Sequence, residues 1–120
     1  MNGPGPTRHE DDFDIRVRTR GHVVIIQLTG PLTETTGNIL RMYLMGTLAT
    51  QAPPALIVDI GDVSETGDFG REILRSATRH ARESAGRLII TGGAPLLGGS
   101  PAGFDLLPSI GDALAAFGGP

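Results

Sequence analysis

The stretch from Asp59 to Leu74 reads DIGDVSETGDFGREIL, and the rest of the chain is organised around it. An apolar run, Leu56, Ile57 and Val58, ends at Asp59. Val63 follows, then a polar loop of Ser64, Glu65, Thr66 and Gly67, and an amphipathic helix opens near Asp68. A strand that feeds a helix through a loop is a common place for a site in α/β proteins. Here the loop carries carboxylates and hydroxyls without Cys, Lys or His. Those groups suit recognition or modification by a partner better than bond chemistry.

Working outward, 120 residues fit one domain with a core that needs no metal or disulfide. The absence of cysteine removes disulfides, thiolate catalysis and Cys-based zinc sites together, and it suits a reducing compartment. No apolar run approaches the roughly 20 residues of a membrane span. The start, MNGPGPTRHEDD, lacks the hydrophobic core of a signal peptide. These readings predict a cytoplasmic protein with no membrane segment. A net charge of −3 and 4% aromatic residues argue against nucleic-acid binding, which favours basic patches and stacking rings.

Residues 1–12 combine Gly, Pro and charge, so a disordered tail is expected there. His9 with Glu10, Asp11 and Asp12 reads as a solvated charge run rather than a metal site. Phe13, Ile15 and Val17 alternate with charged residues, the period of a half-buried strand. HVVIIQLT (His22 to Thr29) is a second strand, paired with the first as a hairpin and broken by Gly30 and Pro31. Leu40, Leu44 and Leu48 then mark one face of a helix between Thr33 and Thr50. Within it Gly37 and Gly46 are weak points, and Met42 and Met45 fill core gaps or an interface.

After Pro53 and Pro54, ALIVDI is a short buried strand. The helix beyond Gly67 sets Phe69, Ile73, Ala77 and Ala81 on one face and Arg71, Arg75, Arg79 and Arg82 on another. That arginine row is a solvated face, with a docking strip for an acidic partner as the sharper alternative. RLIIT (Arg87 to Thr91) is a core strand, and GGAPLLGGSPAG after it lacks the endings of a phosphate loop. This connector carries a helical turn near Leu96 and Leu97, then a short strand or turn between Phe104 and Leu107. Ser109 with Asp112 starts a last amphipathic helix. No catalytic residue, metal site or cofactor is predicted, and His22 and His80 read as structural.

The order and wording of these pieces resemble the STAS domain family, the anti-sigma factor antagonists, from about Phe13 to Ala116, within a domain expected at 13–117. The resemblance rests on QLTGPLT after the second strand, LIVDIGDV before the loop, Gly70 in the next helix, GRLIITG, and LLPSIGDALAAF at the end. It implies a single α/β domain with a central mixed sheet of four to five strands, helices mainly on one face, and a short tail at 118–120. In that family the loop reads Asp-Ser-Ser-Gly, and a partner anti-sigma kinase phosphorylates its first serine. With Gly70 as anchor, that quartet becomes Gly67, Asp68, Phe69 and Gly70, which puts Asp68 at the phosphorylation-equivalent position. Thr33 stands where relatives carry an acidic residue.

The resemblance therefore implies a non-enzymatic regulator that binds an anti-sigma factor of the GHKL serine kinase type and so influences sigma-factor release. Ser64, Glu65, Thr66, Gly67, Asp68, Phe69, Gly70 and Arg71 would form the partner-binding region. A second copy of the chain is a further candidate partner. The alternative is a scaffold or sensor module in a larger assembly, without a phosphorylation switch. Asp68 itself has two readings, a helix N-cap and a fixed stand-in for phosphoserine charge.

Overall fold

The computed structural model describes residues 8–10, 13–97 and 103–118. Its strands are β1 (Arg8–Glu10), β2 (Phe13–Arg20), β3 (Val23–Leu32), β4 (Ala55–Thr66), β5 (Arg87–Thr91) and β6 (Leu106–Leu107). Its helices are α1 (Glu34–Thr50), α2 (Asp68–Glu83) and α3 (Ile110–Ala116), with a 3₁₀ turn at Ala94–Leu97. Among the described residues the strands form one sheet whose spatial order is the chain order, β1 to β6. The first two junctions are antiparallel and the rest parallel. A parallel neighbour needs a crossover. Helix α1 supplies the one from β3 to β4, and α2 the one from β4 to β5.

Period-two alternation along the strands sorts the core into two layers. Ile26 and Leu28 of β3, Leu56 and Val58 of β4, and Leu88 and Ile90 of β5 face α1 and α2. There they pack with Leu40, Leu44 and Leu48 of α1 and with Ile73, Leu74, Ala77 and Ala81 of α2. Val23, Ile25, Ala55, Ile57 and Ile89 point the other way, onto Ala113 of α3, with Ile110, Leu114 and Phe117 packed alongside. Two helices thus share one face and the short α3 covers the other.

Several local expectations need correction. The sheet has six strands rather than four to five, because Arg8–Glu10 pairs with β2 inside the stretch expected to be a disordered tail. The rest of that tail, and of the C-terminal tail beyond Gly118, lies outside the described residues, as does the middle of the Gly-rich connector. Gly30 and Pro31 do not end β3. Register shifts at Gln27/Thr29 and Gly30/Pro31 absorb them, and the strand runs on to Leu32 beside β4. Pro31 is tolerated because an irregular strand end can spare one ladder hydrogen bond. His22 lies in the turn between β2 and β3, with its ring edge-on to Phe117.

Candidate functional site

The parallel strands β3 and β4 end together, with Leu32 paired to Thr66, and both crossover helices start from that edge. Thr33 caps α1. Its hydroxyl accepts from the Thr36 N–H at 3.3 Å, while Thr36 Oγ1 accepts from the Thr33 N–H at 2.7 Å and donates to the Pro31 carbonyl at 2.8 Å. This reciprocal arrangement satisfies amides that the first turn leaves without partners.

The second junction is tighter than the sequence suggests. Ser64, Glu65 and Thr66 are not loop residues: they extend β4, with Glu65 beside Pro31 and Thr66 beside Leu32. Only Gly67 separates β4 from α2, and Gly67 is the N-cap, without a side chain to bond the first turn. Asp68 is therefore not the cap. It is the first helical residue, where a carboxylate is still favoured by the helix dipole. Composition hides this. A polar Ser-Glu-Thr run looks like loop, yet the irregular end of β3 supplies it with a pairing partner.

Asp68 projects into solvent with its side chain 98% exposed, and its Oδ1 accepts from Arg71 Nη2. The Arg71 side chain is only 27% exposed. Its Nη1 donates to the Thr66 carbonyl at 3.1 Å and approaches the Leu96 carbonyl at 3.5 Å. One guanidinium thus ties the end of β4, the first turn of α2 and the 3₁₀ turn together. Ser64 and Glu65 are exposed, Thr66 is half-buried, and Gly70 is buried against Leu32 and Thr66. The structure brings the predicted residues onto one edge, with Gly70 beneath it.

Phe69 is 39% exposed, so it sits at the border of the helix face on which its spacing placed it. Its ring lies over Gly37 of α1, where a Cβ would stand 3.0 Å from Phe69 Cδ2. Beside it a groove of about 260 Å³ runs between α1 and α2, lined by Arg41, Leu44, Met45, Ile73 and His80 among others. Met42 and Met45 are exposed, which takes them out of the core. The arginine row also divides. Arg71 and Arg75 are partly covered, Arg75 lying 4.8 Å from the Phe104 ring centroid and bonded to Glu72, while Arg79 and Arg82 face solvent. Leu96 is the contributor that sequence reasoning missed, because it acts through its backbone carbonyl and no side-chain pattern announces it.

The model of the STAS domain family matches residues 14–96, and the chain belongs to that family. Its fold is also that of solved anti-sigma factor antagonists. One from Mycobacterium paratuberculosis is 24% identical with a TM-score of 0.75, over 91% of this chain and 97% of that one. SpoIIAA in its unphosphorylated form is 20% identical with a TM-score of 0.73, over 90% and 99% of the two chains. Bacillus SpoIIAA in its phosphorylated form is 16% identical with a TM-score of 0.67, over 86% and 98%. No curated protein matches the chain by sequence. No helix among the described residues is long and apolar enough to cross a membrane.

Proposed function

We propose that this protein is an anti-sigma factor antagonist, a cytoplasmic, non-enzymatic module. It binds an anti-sigma factor of the GHKL serine kinase type through the β4–α2 edge and so influences sigma-factor release. Family membership and the shared fold support the class. One observation supports the placement: Asp68, which the family resemblance sets at the phosphorylated serine, begins α2 with its side chain in solvent, and Ser64 and Glu65 at the end of β4 are exposed as well. A partner that docks at that point has direct access to it. A kinase finds no hydroxyl at residue 68 to modify, since aspartate replaces serine.

The test is titration calorimetry of the purified chain against the GHKL-type anti-sigma factor encoded nearest to its gene. Mass spectrometry after treatment with kinase and ATP accompanies it. Saturable binding that is lost when Ser64 and Glu65 are both changed to arginine supports the assignment. Absence of binding, for the native chain and for Asp68→Ser alike, replaces it with a scaffold or sensor role.

A further inference from the structure

This inference rests on the reading above and concerns what the docking edge presents to its partner. We infer that Arg71 neutralises Asp68 in place, so that the docking edge presents no net negative charge at residue 68, the position that the family resemblance sets at the phosphorylated serine.

Charge and geometry both lead there. A phosphoserine carries about −1.5 to −2, whereas a carboxylate carries only one negative charge. That single charge is matched by the guanidinium of Arg71 three residues on, in a direct Oδ1–Nη2 ion pair. Exposed ion pairs are usually weak, partly because two long side chains must be held still. Here the cation is already held. Arg71 is largely covered, and its other terminal nitrogen bonds the Thr66 carbonyl. Freezing that arginine is thus shared with a backbone hydrogen bond that exists without Asp68. Helix dipole charge at the first turn of α2 adds to the compensation. Glu34 and Glu65 remain exposed at the same edge, so the rim is acidic while the switch position is not. A partner that senses negative charge at residue 68 therefore meets none that is uncompensated.

The role can be isolated with a mutant cycle. Arg71→Met keeps the apolar stem and removes the charge. Asp68→Asn removes the charge it would expose, and the third form combines both. The probe is the purified GHKL-type anti-sigma factor used above, with circular dichroism confirming that each form is folded. Arg71→Met should weaken binding about tenfold, the scale of one uncompensated charge at an interface. The double variant should return to within about threefold of the native chain. Equal weakening by Arg71→Met in both backgrounds overturns the inference, because Arg71 would then be touching the partner itself. No change in either background overturns it as well.

A second arm needs no partner, so failure of the docking reading is distinguishable from failure of the pairing. Hydrogen exchange of the Arg71 guanidinium, followed by NMR, should be slower than that of exposed Arg79 and should accelerate in Asp68→Asn. Exchange as fast as that of Arg79 overturns the inference whatever the binding data show.

Discussion

Gly70 of α2 backs directly onto Leu32 at the end of β3. A Cβ on Gly70 would stand 2.8 Å from Leu32 Cδ2 and 2.5 Å from Thr66 Oγ1. The glycine is required by this close approach. Leu32 is 1% exposed and cannot swing away without disturbing the core. Gly70→Ala gains about 1 kcal/mol of helix propensity and meets an overpacking penalty of about 1–3 kcal/mol. With three contacts under 3.0 Å the penalty falls at the upper end, and a net loss of about 1–2 kcal/mol is expected in urea denaturation. A variant as stable as the native chain would show that α2 can slide outward at its first turn.

Gly46 gives the contrast. Nothing lies within 4 Å of a Cβ there, and the residue sits exposed inside α1. Gly46→Ala should stabilise the domain by about 0.5–1 kcal/mol through helix propensity and reduced freedom of the unfolded chain. The same denaturation experiment measures it. A loss of stability would mean that α1 is distorted at this point.

Ile73 and Arg75 separate the two faces of α2. Ile73 belongs to the main core and is 8% exposed, so Ile73→Ala should cost about 2–4 kcal/mol. An arginine on an open helix face is usually within about 0.5 kcal/mol of neutral. Arg75 is not such a residue, because it stacks on Phe104. Arg75→Ala should therefore cost about 0.5–1 kcal/mol, most of which Phe104→Leu should abolish in a double-mutant cycle. An additive cycle would place Arg75 among the freely solvated arginines.

Thr91 ends β5 fully buried, and its hydroxyl donates to Asp59 Oδ1 on β4 at 2.8 Å. Thr91→Val keeps the shape and removes the donor, leaving a partly buried carboxylate oxygen short of a partner. A cost of about 1–3 kcal/mol is expected, against near neutrality if water replaces the hydroxyl. Thermal unfolding of Thr91→Val and of Thr91→Ser, which retains the donor, distinguishes these outcomes.

Much of this fold is legible in the sequence because local and tertiary signals agree. The leucines of α1 and the apolar face of α2 lie in the core that their spacing predicts, and Ser109 caps α3 through the Asp112 N–H at 3.1 Å. Legibility fails where a neighbour overrides composition. Ser64, Glu65 and Thr66 are strand only because Gly30, Pro31 and Leu32 pair beside them, and a reading of either segment alone ends both strands early. That error also misplaces the cap. With β4 running to Thr66, one residue remains for the turn, and Asp68 is moved into the helix. The ion pair follows from the same shift: Asp68 and Arg71, at i and i+3 within one helix, lie on adjacent turns of its surface.

The last prediction concerns phosphate. In the unaltered chain no stoichiometric phosphorylation is expected at the β4–α2 junction after kinase and ATP treatment. Asp68 and Phe69 have no hydroxyl, and Thr66 is half-buried with its Oγ1 against Gly70 and its bond directed to the Gly67 carbonyl. Ser64 is exposed, but it lies on β4 before the turn and away from the helix start. Asp68→Ser restores a hydroxyl at the first position of α2, in solvent and beside Arg71. A phosphate there would carry about −1.5 to −2 against the single positive charge of the guanidinium, leaving the excess that Asp68 lacks. Asp68→Ser should accordingly accept one phosphate, and its phosphorylated form should bind the anti-sigma factor at least about tenfold more weakly than its unmodified form. Intact-mass spectrometry with peptide mapping, followed by calorimetry on the separated forms, checks both halves. A phosphate on Ser64 of the unaltered chain would show that the modification site has moved along β4. An unmodified Asp68→Ser would show that Phe69 and Gly67, which also depart from the family motif, block the kinase by themselves.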